Sequence, residues 1–427
     1  MAIKNFDKLA TSVLRRQALS IAEAGYRAIN TRAAIERQVF YNAKKQILKI
    51  QNRKFNLGEF RKIACVGFGK AAFDAAKVLQ SILEDRISQG YIIDLKSGKI
   101  PNFICSIGTH PNVSEQNIKY TKEFASFLED LGENDLVIVI VSGGGSAMLE
   151  MPAGGNAADA ANIFTALTRK GADITEINTV RKHLSLVKGG GLAKIIYPAS
   201  CISLIFSDVS GDDISMVASG PTIKDATTIA DARRVVEKYQ ILQELEVGSL
   251  KFTETPKGHK YFSRTHNFLL VSGRDALSAM SERAEDLGFK VKVFSNNFQG
   301  EARALGPEVI IELKNKHQCL LGIGESTVKI VGTGRGGRNM EMALAALSSI
   351  SADQILLCLA SDGHDNTESA GAIADESTKL KARNLKLNIG QYLQNNDSFG
   401  FFEKVDDAVF TGITGSNAAD FFIALKK

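Results

Sequence analysis

The chemistry most visible in this sequence is the holding of anions by glycine-rich turns. Ser142-Gly143-Gly144-Gly145-Ser146 follows an apolar run and precedes a helical pattern. In that setting, backbone N–H groups and a helix N-terminus can hold phosphate oxygens; a tight packing turn is the alternative. Gly67-Phe68-Gly69-Lys70 repeats the setting and places a lysine at the expected helix start. A cation is disfavoured there unless an anion compensates it, which makes Lys70 a candidate for phosphate or carboxylate, against the commoner surface lysine. From Gly332 to Glu341, Arg335 and Arg338 lie among glycines just before an alanine-rich helix. Guanidinium groups there can grip phosphate oxygens bidentately and neutralise charge that develops during phosphoryl transfer; two solvated loop arginines are the plainer reading. Lys188-Gly189-Gly190-Gly191, preceded by Arg181, Lys182 and His183, is either another anion site or hinge, or a helix end capped by glycine.

Acids gather after apolar runs in two places: Asp208, Asp212 and Asp213, and Asp362 with Asp365. Magnesium arriving with a nucleotide needs one or two carboxylates and keeps several waters, so one aspartate from each loop suffices. A substrate hydroxyl needs an oriented acceptor, which an aspartate can supply. Local turn and cap roles compete for each of these acids. The usual fingerprints are missing: no G-x-x-x-x-G-K-[ST] loop, no complete dinucleotide motif, no H-x-x-x-H, no C-x-x-C and no G-x-S-x-G elbow. Zinc enzymes and serine hydrolases are thereby disfavoured.

The elements needed to position these turns follow from the patterning. Lys62 onward cycles through short apolar run, glycine turn and amphipathic helix, with strands expected at Ile63–Val66, Asp135–Val141 and Cys201–Phe206 and a helix over Ala71–Leu83. Near-continuous apolar strands predict a parallel sheet covered on both faces, with ligands beyond its carboxyl edge. The first fifty residues read as helix. Further strands are expected at Asn267–Val271, Lys290–Phe294, Val328–Val331 and Gln354–Ala360, and helices at Asp275–Leu287 and Gly337–Ser349. The polar stretch Val247–Thr265 marks the expected boundary between a Rossmann-like domain, 1–250, and a smaller α/β domain, 251–427, with a cleft between them.

A chain of 427 residues, 44% hydrophobic and 23% charged, is long enough for two buried cores. Its 37 glycines against 7 prolines sit in turns rather than in a low-complexity linker. A net charge of +5, spread along the chain, gives nucleic-acid binding little support. The five cysteines lie mostly in apolar runs and read as free thiols. With no secretory h-region and no run of about 18 apolar residues, the expectation is a cytoplasmic protein off the membrane. A homodimer leaves no readable mark.

The ordered motifs S-G-G-G-S-A-M-L-E from Ser142, S-D-V-S-G-D-D from Ser207 through A-S-G-P-T ending at Thr222, G-E-S-T-V from Gly324, G-R-G-G-R-N-M-E from Gly334, S-D-G-H-D from Ser361 and T-G-I-T-G-S-N from Thr411 resemble the glycerate 2-kinases of the MOFRL type, once named hydroxypyruvate reductases. The resemblance covers nearly the whole chain. It implies Mg-ATP-dependent phosphorylation of D-glycerate at its 2-hydroxyl, with Lys70 and Arg338 as catalytic cations and Arg335 the alternative. It further implies Asp208 as the acid orienting the hydroxyl, and Ser142, Gly143, Gly144, Gly145, Ser146, Lys188 and Gly189 around ATP. Arg335, Asp362 and Asn417 would face the substrate, and Asp208 and Asp213 the Mg2+. Met340 and Ile413 depart from the family's usual glutamine and proline. An NAD(P)H-dependent hydroxypyruvate reductase is the rival enzyme, and a non-catalytic sugar-acid or nucleotide sensor the rival from another class.

Overall fold

The computed structural model describes residues 1–209, 211, 213–241, 251–416 and 418–427. Asn417, Asp212 and the 247–250 part of the expected linker lie outside the described residues. The chain divides into two compact units, one built from Ala34–Val209 and Asp213–Leu270, the other from Met1–Ala33 and Val271–Lys427.

The first unit opens with the antiparallel strands β1 (Val39–Asn42), β2 (Ile47–Ile50) and β3 (Arg53–Asn56). The helical reading of the first fifty residues therefore holds only to Gln38. Beyond it the apolar positions alternate, and Gln51 takes a left-handed φ of 52° in the tight β2–β3 turn. The main sheet is ordered β6-β5-β4-β7-β8-β9, from β4 (Lys62–Phe68), β5 (Gln89–Asp94), β6 (Phe103–Ile107), β7 (Asp135–Ser142), β8 (Ser200–Phe206) and β9 (Thr265–Val271). The pairings from β6 through β8 are parallel. Every residue of β7 is buried, as a central parallel strand demands. The β4–β7 register runs from Lys62 opposite Asp135 to Phe68 opposite Val141, which brings Gly69 and Ser142 side by side at the carboxyl edge.

In the second unit the sheet is mixed, ordered β10-β11-β15-β12-β13-β14 from β10 (Lys290–Phe298), β11 (Gln318–Gly324), β12 (Gln354–Leu359), β13 (Gly371–Asp375), β14 (Ala408–Val409) and β15 (Asp420–Lys426). Only the β10–β11 pairing is parallel. Gly324 pairs with Asp420, so the end of β11 and the start of β15 share one sheet edge. No strand forms at Val328–Val331. Ile330 and Val331 are 79% and 61% exposed, and the Val331 and Gly332 N–H groups donate to Asn396 Oδ1 at 2.8 and 3.0 Å instead of to a ladder.

The boundaries differ from 1–250 and 251–427 for two reasons. The Val13–Ile29 helix packs into the second unit. Its Gly25 lies so close to Met280 that a Cβ would come within 2.9 Å, Tyr26 donates to Ala360 O at 2.9 Å, and buried Arg15 pairs with Asp375 and Asp407, each at 2.7 Å. The described part of the presumed linker, meanwhile, packs in the first unit: buried Thr255 donates to Asp225 Oδ2 at 3.2 Å, and the chain then runs into β9. Cys65, Cys201, Cys319 and Cys358 are buried free thiols, as their apolar neighbours require, and Cys105 is half-buried and free.

Candidate functional site

The two glycine turns of the first unit interlock. Gly69 has φ +106°, and a Cβ there would lie 2.4 Å from Ser142 Oγ and 2.5 Å from Ser142 O, so only glycine fits. Lys70 N donates to Gly143 O at 2.9 Å, and Ala71 N to Ser142 Oγ at 3.2 Å. Ser142 is fully buried and its hydroxyl donates to Phe68 O at 3.3 Å. Its side chain joins the two turns. Gly144 is left-handed, and the Cβ it lacks would lie 3.1 Å from His110 Cδ2 and 3.3 Å from Lys70 Cγ. Lys70 and His110 thus flank the bare backbone of the turn. The helix that follows is only Gly145–Met148, too short for the strong terminal dipole that the sequence suggested.

Gly145 is backed by Ala218, whose Cβ would be 2.8 Å from one built on the glycine. Ala218, Ser219 and Gly220 are all left-handed, with φ of 49°, 61° and 61°. Two non-glycine residues in that region store strain that their surroundings must hold. Ser146 and Ser219 share a hydrogen bond at 3.0 Å, and Ser219 Oγ donates to Asn178 Oδ1 at 2.7 Å. Asn178 belongs to the Ile174–Leu184 helix, whose Asp173 cap and Glu176 form a capping box.

Lys188 and Gly189, expected around ATP, make internal contacts in the first unit. Lys188 is buried, pairs with Glu150 Oε2 and donates to Leu149 O at 3.1 Å, while Gly189 N donates to Ser219 O at 2.9 Å. Burial pulls the Lys188 ammonium down, opposed by the Glu150 charge. The run Lys188–Gly191 is an internal brace behind the strained 218–220 segment.

Asp208 is half-buried just beyond β8, and exposed Asp213 accepts from Ser215 N at 2.9 Å. Among the described residues no three His, Cys, Asp or Glu side chains converge on one metal position. A Mg2+ that keeps most of its waters and takes oxygens from phosphates needs no such cluster, and Asp208 with Asp213 offers hard oxygen donors of the right kind.

In the second unit, Arg338 opens the Arg338–Ala346 helix at the edge shared by β11 and β15. Its Nε reaches Asp420 Oδ2 and its Nη2 Glu325 Oε1, each at 2.6 Å. Despite burial, these anions raise the guanidinium further and keep it charged. Asp365 accepts from Asn339 N at 3.1 Å and Met340 N at 2.7 Å, capping the helix. Burial pushes its carboxyl up to about 7, and burial likewise raises Asp420. Glu325 and Asp420 were not singled out by sequence; Glu325 was visible only as the acid of G-E-S-T-V. Arg335 lies 4.7 Å over the Phe399 ring and pairs with Glu368 at 2.9 Å, so neither arginine is idle in solvent. Asp362 Oδ1 accepts from His364 N at 3.0 Å. Of the two departures from the family pattern, Met340 is buried in the core and Ile413 is 74% exposed.

A largely parallel sheet whose carboxyl edge carries interlocked glycine turns and a lysine places the first unit in the Rossmann-like α/β class. Comparison with known proteins makes it particular. The model described as a domain of unknown function (DUF4147) matches residues 17–252, and that of the MOFRL family matches residues 318–420. The chain is 35% identical to a D-glycerate 2-kinase of Thermotoga maritima over 380 residues, covering 85% of this chain and 90% of that one. It is also 35% identical to a glycerate 2-kinase of Pyrococcus horikoshii over 438 residues, covering 96% and 98%. The crystal structure of a glycerate kinase from Thermotoga maritima superposes with a TM-score of 0.84 at 32% identity, covering 97% of this chain and 99% of the other. The chain belongs to the glycerate 2-kinase family of the MOFRL type.

Proposed function

We propose that this protein transfers the γ-phosphoryl group of ATP to the 2-hydroxyl of D-glycerate, releasing 2-phosphoglycerate and ADP in the cytoplasm. The observation that carries the reading is the 35% identity to a D-glycerate 2-kinase along 90% of that enzyme's length. The interlocked turns beneath Lys70 support it by offering rigid bare backbone to phosphate. No helix among the described residues is long and apolar enough to cross a membrane.

In the reaction, the glycerate oxygen forms a bond to the γ-phosphorus as the bridging oxygen of ADP leaves. Lys70 is the first unit's cation for the transferring group, and Arg338, held in orientation by Asp420 and Glu325, is the second unit's cation for phosphate oxygens. Asp208 orients the 2-hydroxyl and accepts its proton. When bound, Mg2+ would be held by Asp208 and Asp213 and would neutralise phosphate charge. Arg335 and Asp362 serve the substrate, and Gly143 to Ser146 the triphosphate.

The reductase reading meets a physical obstacle. Gly67, Gly69 and Ala72 approximate a dinucleotide turn, and Asp94 ends β5 where such folds place the ribose-binding acid. Asp94, however, is fully buried and accepts from Phe73 N at 2.9 Å and Leu95 N at 2.6 Å, and the near face of Gly69 is covered by Ser142. Neither the ribose nor the pyrophosphate of a dinucleotide has its usual access. A coupled assay of ADP release with Mg-ATP and D-glycerate, with the product identified by NMR, tests the proposal. Formation of 2-phosphoglycerate is expected. NADH-linked reduction of hydroxypyruvate with no phosphoryl transfer would restore the reductase.

A further inference from the structure

The arginine loop of the second unit is pinned along its length, although four of the residues from Gly332 to Gly337 are glycines. It lies against residues 395–399, and the glycines allow that approach. A Cβ on Gly332 would run into Asn395 O, one on Gly334 into Asp397 Cβ, and one on Gly336 into Ser398 Oγ. Thr333 N donates to Asn395 Oδ1 at 3.1 Å and Gly334 N to Asn395 O at 2.8 Å. Arg335 is fixed on both sides, its N–H donating to Asp397 Oδ1 at 3.1 Å and its carbonyl accepting from Phe399 N at 2.9 Å.

Asn396 is the hub of this docking. It is buried, takes a left-handed φ of 52°, and fills the two acceptor and two donor places of its side-chain amide. Oδ1 accepts from Val331 N and Gly332 N at the root of the loop, while Nδ2 donates to Lys329 O at 3.2 Å and to Glu341 Oε2 at 3.0 Å. Glu341 is buried in the first turn of the Arg338–Ala346 helix, and its other oxygen accepts from Arg303 Nε at 2.7 Å. One side chain thus joins the beginning of the loop to the helix that follows it. The ordering entropy of a glycine-rich loop is spent on folding, before any ligand binds.

We propose that Asn396 is a positioning residue for the organic acid: by tying the root of the loop to Glu341 it holds Arg335 where that guanidinium binds the substrate carboxylate. The assignment rests on the glycerate kinase reading. A guanidinium meets a carboxylate best through two parallel N–H bonds, so its backbone must be set closely. A displacement of about 1 Å at such a group can cost roughly 100-fold in rate. The Phe399 ring beneath Arg335 and the exposed Glu368 beside it guide the side chain, and Asn396 acts one step further back, on the main chain. Asparagine is the residue that fits there, because it tolerates the left-handed backbone and both donates and accepts. Aspartate keeps the shape and the backbone but cannot donate, and it would set a second carboxylate against Glu341.

The test uses the full chain with Mg-ATP and D-glycerate, and compares wild type with Asn396→Asp, Asn396→Asp combined with Glu341→Gln, and Gly334→Ala. Asn396→Asp should raise KM for D-glycerate by about 10-fold or more, with KM for ATP changed by less than about two-fold. In the double variant the introduced amide can donate to the introduced carboxylate, so part of the loss should return. Gly334→Ala wedges the loop away from Asn395 and Asp397 without changing charge. It should raise the same KM, and it carries the test if Asn396→Asp does not fold. A residue that merely supports the fold would lower the active fraction, and so kcat, with both KM values unchanged. That result, a rise in KM for ATP instead, or a double variant that recovers nothing overturns the assignment and leaves the kinase intact. A wild type that phosphorylates no hydroxy acid overturns the kinase reading itself.

Discussion

The turn around Lys70 and the turn around Arg338 both set a cation beside glycines, and they differ in the backbone and the anions built around it. Under Lys70 the effort goes into the backbone: Gly69, Ser142 and Gly143 lock together and the lysine stem lies against Gly144. Around Arg338 the effort goes into the side chain, whose guanidinium is clamped by Asp420 and Glu325 before any ligand arrives. A clamped guanidinium gains orientation and gives up part of its pull on distant anions. On the proposed mechanism, the first unit offers a rigid turn to phosphate and the second a guanidinium held in one fixed pose.

The sharpest test is Lys70→Ala, expected to lower kcat by about 100- to 1000-fold. Next is Arg338→Ala, which should also lose activity but in addition destabilise the second unit by about 2 kcal/mol, a value reduced from fully buried pairs because the side chain is 36% exposed. Adding Asp420→Asn should return part of that stability in urea unfolding, since the stranded carboxylate is then gone. If Arg338→Ala proves as stable as wild type, the clamp has no energetic weight and the contrast fails.

A smaller effect concerns pH. The Asp365 carboxyl is held up to about 7, above its unfolded value, so its contribution to stability is complete below about pH 4 and is lost as pH rises through about 7. Urea midpoints should fall between pH 5 and pH 8 in wild type, and this slope should flatten in Asp365→Asn, which stays neutral. Smallest of all, Glu368→Gln breaks the exposed Arg335 pair, whose partners are 62% and 58% exposed, and should shift stability by less than about 1 kcal/mol.

How much of this could be read in the sequence depended on distance along the chain. Strands β4, β7, β8 and β12 announced themselves as apolar runs closed by turns, because burial on both faces leaves no other composition. Val328–Val331 has the composition of a strand but no partner, and its N–H groups turn to Asn396. The Val13–Ile29 helix shows an apolar face, and nothing in its periodicity says that the face meets Met280 and Phe421. Within the site, local motifs located Lys70 and the Ser142 turn. The pairing of Arg338 with Asp420 spans 82 residues, and the bracing of Lys188 by Glu150 spans 38, so neither left a local signal. The inward turn of Asp94 was equally invisible, since a ribose-binding acid and a helix-capping acid look alike in one dimension.

The interlock of Gly69 with Ser142 also constrains how such a protein can be altered. Because a methyl group on Gly69 would collide with both the hydroxyl and the carbonyl of Ser142, the β4 and β7 turns form a single inheritable part. Variation sampled one turn at a time is penalised, whatever it does for substrate choice. Libraries that redesign either loop should diversify both turns together, or leave both alone.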